Sequence, residues 1–387
     1  MKFSHLEFKG VKGVGSIEVD FTPDKRIHAF IGENGVGKTK LLEALFQSLV
    51  LSSKMFKTDL FYPNNHQTFN QPFLDIVFST MKRDDNLIIE NIATIGLKSA
   101  NPLEQDGNFK FCSDSIIYIG AQNRGFIEDT KEQKESKLGS FNQRKRQYVK
   151  SIISAINTDF SSLNMAIDIE HWFIAIAQSS NPFQKQKDNR EIEILTVLKL
   201  CHQIDNSIDP EFMEIGGDNR VFLKINGVKT QLSHLSTGYA SILKIIQSII
   251  SGYGYFTNEQ QLQNVKGVVF IDEIESHLHL SWQSKIIPTL KELFPNTTFY
   301  ITTHSPLVLT QLEDGEAYRL QREEDGVVRS NLIHHPNNIS YIDLQKRAFD
   351  LDLNKIKREQ ESSDNQKEAK QKLLDLINEE WEKVLIK

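Results

Sequence analysis

An α/β fold, in which helices pack on a mixed sheet, is predicted by three features of the sequence. A glycine-rich turn lies between an apolar run and a helical period. Apolar strands alternate with helical segments from about residue 237 onward. One of those strands ends in two adjacent acids, Asp272 and Glu273.

The turn is the most specific of these signals. His28-Ala29-Phe30-Ile31 reads as a strand, Gly32-Glu33-Asn34-Gly35-Val36-Gly37-Lys38-Thr39-Lys40 as the turn, and Leu41, Leu42, Leu45 and Leu49 as one helix face. The spacing G-x-x-x-x-G-K-T is met in full, in the strand–turn–helix context that a phosphate-binding loop requires. Gly32, Gly35 and Gly37 leave room for backbone N–H groups to converge on phosphate oxygens, and the helix N-terminus adds positive charge. Lys38 is placed to reach the β- and γ-phosphates of ATP, and the Thr39 hydroxyl to hold Mg²⁺.

The bulk composition sets the frame for this site. The 387 residues suffice for one large domain or two modest ones, and 39% hydrophobic with 25% charged residues fits a globular chain. A net charge of −6 gives no global basic signature, so any nucleic-acid contact has to be local. Cys112 and Cys201 make no metal or redox motif and fit a reducing compartment. Glu7 and Lys9 interrupt the N-terminus where a signal peptide needs an apolar core, and no run approaches the ~18 apolar residues of a membrane span. A cytoplasmic protein without a membrane partner is expected.

Taken in order, residues 3–8 and 16–21 form a hairpin that feeds the strand before the turn. Residues 73–78 and 87–92 flank the polar turn Lys82-Arg83-Asp84-Asp85-Asn86 and predict a second hairpin, part of an antiparallel β subdomain. A strand from Ser115 to Gly120 leads into Ala121-Gln122-Asn123-Arg124. From residue 131 to 215 the period is helical, with Val149, Ile152, Ile153, Ile156 and Phe160 as its first face and Ile192, Leu195, Leu198 and Cys201 as its last. Val221–Ile225 reads as a strand. A helix over about Thr237–Ser251, the strand Gly267–Ile271, a helix near Leu280–Phe294 and the strand Thr298–Thr302 follow. Past residue 335 the chain is polar and helical, and Leu373, Ile377, Trp381 and Val384 share one face. The predicted organisation is an α/β nucleotide-binding domain from residues 1–130 and 216–335, a helical insertion at 131–215 and a helical C-terminal extension at 336–387.

The remaining chemistry lies at strand and helix ends. A buried strand delivers Asp272 to the sheet edge that carries the phosphate loop, so Asp272 helps hold Mg²⁺ and Glu273 activates or orients water. Leu235-Ser236-Thr237-Gly238-Tyr239 opens a helix, where Ser236 serves at least as a cap. Phe299-Tyr300-Ile301-Thr302-Thr303-His304 brings a histidine to the same edge.

In this order the four motifs resemble those of ABC-type ATPases, above all the group with RecF, the SMC-like repair ATPases, the OLD family and the small phage-defence ATPases of the PtuA and AriA kind. The run Ile271-Asp272-Glu273-Ile274-Glu275-Ser276-His277-Leu278-His279, with Trp282-Gln283, is similar to the last of these, and so is Ser236-Thr237-Gly238-Tyr239, where transporter subunits carry Gln at the Tyr239 position. The resemblance covers residues 1–130 and 216–335. It implies an ABC-ATPase-type P-loop fold, a mixed sheet with flanking helices plus the antiparallel β subdomain. It makes Ser236 and Gly238 the signature that contacts a γ-phosphate bound to another subunit, and His304 the switch histidine. Gln122 becomes the glutamine that senses Mg²⁺ and water, with Gln71 and Gln67 as competitors. Leu280 stands where a proline is frequent. His277 and His279 suggest a metal or, as the reading preferred here, family packing.

The resemblance further implies a head-to-tail dimer or a larger assembly enclosing ATP between Lys38 of one copy and Ser236 of the other. Hydrolysis to ADP and phosphate then acts as a switch. Three roles are open: a defence ATPase that controls a separate effector such as a nuclease, a RecF- or SMC-like repair ATPase, or a transporter's nucleotide-binding subunit. The roughly 50 residues after the ATPase are too few for a nuclease domain, which favours a separate effector. Arg144-Lys145-Arg146 in the insertion favours nucleic acid unless it is a solvated helix start. The helix around Trp381 either docks the effector or packs on its own domain.

Overall fold

The computed structural model describes residues 3–52, 78–83, 86–90 and 115–127, then 139–349 apart from 159, 166–167, 182, 184 and 186–187, and finally 355 and 371–376. The chain divides into two compact units, Met1–Asn338 and Ile339–Lys387.

The first unit begins with strands β1 (His5–Val11), β2 (Gly15–Asp20) and β3 (Ile27–Ile31), then helix α1 (Lys38–Ser52). β4 (Phe78–Arg83), β5 (Asn86–Glu90) and β6 (Ser115–Ile119) follow. Helices α2 (Phe141–Asn157), α3 (Ile169–Ser179) and α4 (Glu191–Ile204) precede β7 (Ile208–Ile215), β8 (Val221–Ile225) and β9 (Val228–Gln231). Next come α5 (Thr237–Phe256), β10 (Gly267–Ile271), α6 (Leu280–Gln283), α7 (Ile286–Leu293), β11 (Thr297–Thr302), α8 (Pro306–Leu309), β12 (Ala317–Arg322) and β13 (Val328–Leu332). The second unit contains α9 (Tyr341–Phe349) and helical residues 371–376.

One ten-stranded sheet runs β5-β4-β1-β2-β13-β12-β3-β11-β10-β6. Its core, β12-β3-β11-β10-β6, is parallel, and the β12–β13 hairpin joins that core to the antiparallel strands because β13 pairs in parallel with β2. The mixed sheet expected from the sequence is therefore present. β3, β6, β10 and β11 are buried at every position, as strands covered on both faces must be. Their registers align an aromatic row across the sheet. Tyr118 stacks on Phe270 at 6.3 Å, Phe270 on Tyr300 at 5.3 Å and Tyr300 on His28 at 4.9 Å between ring centroids. Such pairs add about 0.5–1.5 kcal/mol each beyond the area they bury.

Helix α1 packs against β11, β6 and β1, and Leu41, Leu42, Leu45, Phe46 and Leu49 are fully enclosed. α5 packs against β6, α2 and α4. Among the described residues β6 pairs with β10 alone. On its other side Tyr148 Oη donates to Ile116 O at 3.0 Å, and Asn164 Nδ2 donates to Tyr118 O at 2.7 Å.

Several elements depart from expectation. Three residues expected in the turn of the second hairpin lie in strands, Lys82 and Arg83 in β4 and Asn86 in β5; residues 73–77, 84–85 and 91–92 lie outside the described residues. Residues 208–215, read as helical, form β7, which builds a three-stranded sheet with β8 and β9. The helix from Thr237 extends to Phe256, and the one expected over Leu280–Phe294 breaks at Ser284-Lys285 into α6 and α7. β12 and β13 carry no alternation strong enough to stand out, and only the sheet reveals them. In the C-terminal helix Leu373 is exposed, while Ile377, Trp381 and Val384 lie outside the described residues.

Candidate functional site

Every strand-terminal motif arrives at one edge, because β6, β10, β11 and β3 are adjacent and parallel. The phosphate loop follows β3, Asp272-Glu273 follow β10, His304 follows β11 and Gln122 follows β6. This is the carboxyl edge at which open α/β sheets bind ligands.

The loop requires glycine at two points. Gly32 has φ 148°, and a Cβ there would lie 2.6 Å from Leu320 O; Gly37 has φ 113°, and a Cβ would meet Val14 Cγ1 at 2.9 Å. Glu33, Asn34 and Gly35 are exposed, while Val36 is buried and anchors the loop. Lys38 is buried, and its Nζ donates to Gly32 O and Glu33 O, both at 2.9 Å. Burial lowers the Lys38 pKa, opposed by Asp272, Glu273 and Glu275. Lys40 turns away to Glu43 at 2.6 Å within α1.

Asp272 is only 3% exposed. Thr39 Oγ1 lies 3.0 Å from both of its carboxylate oxygens, and Thr302 Oγ1 donates to Oδ1 at 2.6 Å. Burial pushes the Asp272 pKa up, while the Thr302 and Thr39 hydroxyls pull it down. Thr302 Oγ1 also accepts the Glu273 N–H at 2.7 Å. Glu273 has φ 48°, a left-handed conformation that is costly for a residue with a Cβ, and Ser276 Oγ donates to its Oε2 at 3.0 Å. Glu275 accepts from Thr303 Oγ1 at 2.7 Å and from the His304 N–H at 2.6 Å, which fixes the backbone before the exposed His304 ring. Gln122 is exposed in the turn after β6, and its N–H donates to Ser161 O at 2.9 Å. Gln67 and Gln71 lie outside the described residues.

At the N-terminus of α5 the Ser236 side chain caps Tyr239 N. Ser236 and Thr237 are exposed; Gly238 is buried, and a Cβ there would come within 3.2 Å of the Trp282 ring. Tyr239 meets Trp282 edge to face at 4.9 Å, and its hydroxyl donates to Asp205 Oδ2 at 2.7 Å. Ser241 Oγ donates to Ser276 O at 3.2 Å. The first turn of α5 is thus held between the turn before β7 and the loop after the acids. His277 and His279 form no metal cluster among the described residues; His279 instead caps α6 through Ser281 N.

Sequence reading missed Arg124, Thr302 and Glu275 as parts of the site. Arg124 and Glu275 stand inside the quoted motif runs, but nothing in their spacing marks the carbonyls and hydroxyl that they reach. The basic trio also needs correction. Arg144 is 4% exposed and lies among Glu193, Arg190 and Asp188 instead of facing solvent, because α2 turns it inward against α4. Lys145 and Arg146 alone remain toward the surface.

This sheet, loop and acidic pair make a P-loop α/β fold of the ABC-ATPase type. In sequence the chain is similar to Septu proteins and to retron proteins named as probable ATPases. The family described as "AAA domain, putative AbiEii toxin, Type IV TA system" matches residues 194–310. The chain is 23% identical over 337 residues to Septu protein PtuA of Bacillus thuringiensis, covering 84% of this chain and 76% of that one. It is 24% identical over 331 residues to Septu protein PtuA of Bacillus mycoides (strain KBAB4), covering 82% of this chain but only 40% of that protein's length. It is 23% identical over 405 residues to the retron Ec83 probable ATPase of Escherichia coli, covering 85% and 75%. Among solved structures, the SMC head domain from Thermotoga maritima aligns with a TM-score of 0.41 at 13% identity, covering 86% of this chain and all of that one. Among the described residues no helix is long and apolar enough to cross a membrane.

Proposed function

We propose that the chain binds ATP with Mg²⁺ and hydrolyses it at sites shared between two copies, as the switch of an anti-phage defence system. One observation carries this reading: the phosphate loop, the buried Thr39–Asp272 pair and Glu273 converge at one edge of the parallel sheet. The residues fit both ligands. Only glycine fits the backbone at Gly32 and Gly37, which leaves the loop amides to phosphate oxygens. Thr39 and Asp272 supply the hard oxygen donors that Mg²⁺ takes. When bound there, the metal supplies charge neutralisation on the transferred phosphoryl group.

The chain's own groups do the rest. Lys38 moves its ammonium from the loop carbonyls to the phosphates. Glu273 takes the proton of the attacking water or orients it, and His304 contacts the γ-phosphate from the end of β11. Gln122 reports on metal and water. Ser236 and Gly238 close over the nucleotide of a second copy, a role supported by the exposure of Ser236 and Thr237 at a helix N-terminus. Residues 1–130 and 216–335 form the ATPase proper, with 131–215 as an insertion and 336–387 as an extension. Similarity to the Septu and retron proteins supports a defence role, and in this reading the effector is a separate protein. Burial of Arg144 weakens the case for nucleic acid at the insertion.

The test combines turnover, nucleotide affinity and light scattering. Lys38→Ala abolishes tight ATP binding; Glu273→Gln keeps binding, loses turnover and prolongs the ATP-dependent dimer. Mixing Ser236→Arg with Lys38→Ala subunits restores part of the activity, since one of the two sites is then intact. Wild-type turnover in Glu273→Gln, or a wild-type monomer with full activity at any dilution, overturns the reading.

A further inference from the structure

A fully buried cation stands behind the acidic pair. Arg124 has no exposed surface. Its Nη1 donates to Glu273 O at 2.8 Å, and its Nη2 donates to Gly120 O and Asp272 O, each at 2.6 Å. The guanidinium therefore bridges the carboxyl end of β6 to both peptide groups that carry the two acids. Parallel strands direct carbonyl oxygens out of this edge, and Asp272, Glu273 and Glu275 add formal negative charge, so a cation is stabilised here despite its burial, which lowers its pKa to about 10.

The turn that delivers Arg124 is itself fixed. Gly120 N donates to Leu163 O at 3.1 Å, and Gln122 N donates to Ser161 O. Lys244 Nζ of α5 donates to Asn123 O at 2.7 Å. Asp272 N donates to Ile119 O at 3.0 Å. A rigid base thus presents a planar fork to two consecutive carbonyls, a geometry that the flexible point charge of lysine does not reproduce.

Resting on the ATPase reading above, we infer that Arg124 is a positioning residue for hydrolysis. It sets the peptide planes of Asp272 and Glu273, and with them the strained φ of Glu273 and the places of the metal-holding and water-activating carboxylates. With no exposed surface, it acts through those carboxylates rather than on the nucleotide itself. Its loss therefore separates binding from chemistry, because the phosphate loop is built on β3 and owes Arg124 no contact among the described residues.

The experiment uses the 387-residue chain with Arg124→Lys and Arg124→Gln. ATP affinity is measured without Mg²⁺; kcat, KM and the Mg²⁺ dependence of turnover are measured with it, and folding is followed by circular dichroism. Folded variants are expected to bind Mg²⁺-free ATP within about threefold of wild type. Turnover is expected to fall about 100-fold, the loss that follows a displacement near 1 Å, with a raised Mg²⁺ requirement, and lysine retains more activity than glutamine. A folded variant with wild-type kcat overturns the inference. So does failure of both variants to fold, which makes Arg124 a clamp of the sheet alone. If the wild-type chain hydrolyses no ATP and Lys38→Ala leaves binding unchanged, the ATPase reading itself has failed, which is distinct from loss of this inference alone.

Discussion

Thr302→Val isolates one hydroxyl that serves both acids. Valine nearly preserves the volume of threonine, so no cavity opens in the fully buried site. Two contacts disappear: the donor to Asp272 Oδ1 at 2.6 Å and the acceptor for the Glu273 N–H at 2.7 Å. A bond to a charged group contributes about 1.5–3 kcal/mol, and stranding the amide costs about 1 kcal/mol more, so a loss of about 3 kcal/mol is expected. With a urea slope near 3 kcal/mol/M, the unfolding midpoint moves down by about 1 M. The Asp272 carboxyl, already raised by burial, loses the strongest of the contacts holding it down and rises further, so turnover falls as well. Thr302→Ser keeps the hydroxyl and restores most of both quantities. Urea curves and steady-state turnover on the three proteins decide the matter. A valine variant whose midpoint lies within about 0.1 M of wild type refutes the claim that this hydroxyl organises the acids.

Two further outcomes follow from packing. Gly120→Ala places a Cβ 2.0 Å from Ser161 O and 2.7 Å from Phe160 O, both backbone, so a loss of about 3 kcal/mol is expected in chemical denaturation. Cys201 is 1% exposed, and burial pushes its thiol up to about 12, so in a Cys112→Ser background it resists a thiol reagent at pH 8 until urea unfolds the chain; labelling of the native protein at the rate of a free cysteine contradicts this.

The parts of the site that are legible in the sequence are those whose chemistry is local. Gly32 through Thr39 declare a backbone path and a helix start within eight residues, and Val268–Glu273 declare a buried strand that ends in charge. Arg124, Thr302 and Glu275 act across strands, on atoms 28 to 149 residues away, so their role appears only when β6, β10 and β11 are side by side. The same limit explains Arg144: three basic residues in a row look solvated until a helix turns one of them inward onto Glu193 and Arg190. β7 was hidden by the strong helical period just before it, and β12 and β13 by their mixed polarity.

The outer side of β6 carries a consequence for how the gene can be edited. A strand at the end of a sheet, with outward carbonyls and mostly apolar side chains, invites another chain to zip onto it. Here, among the described residues, a tyrosine from α2 and an asparagine from the segment after it take the place of a neighbour strand, one on each of two oxygens. Removing the segment that carries Tyr148 and Asn164 would therefore uncork an adhesive margin, and the shortened product is expected to precipitate, as light scattering would show.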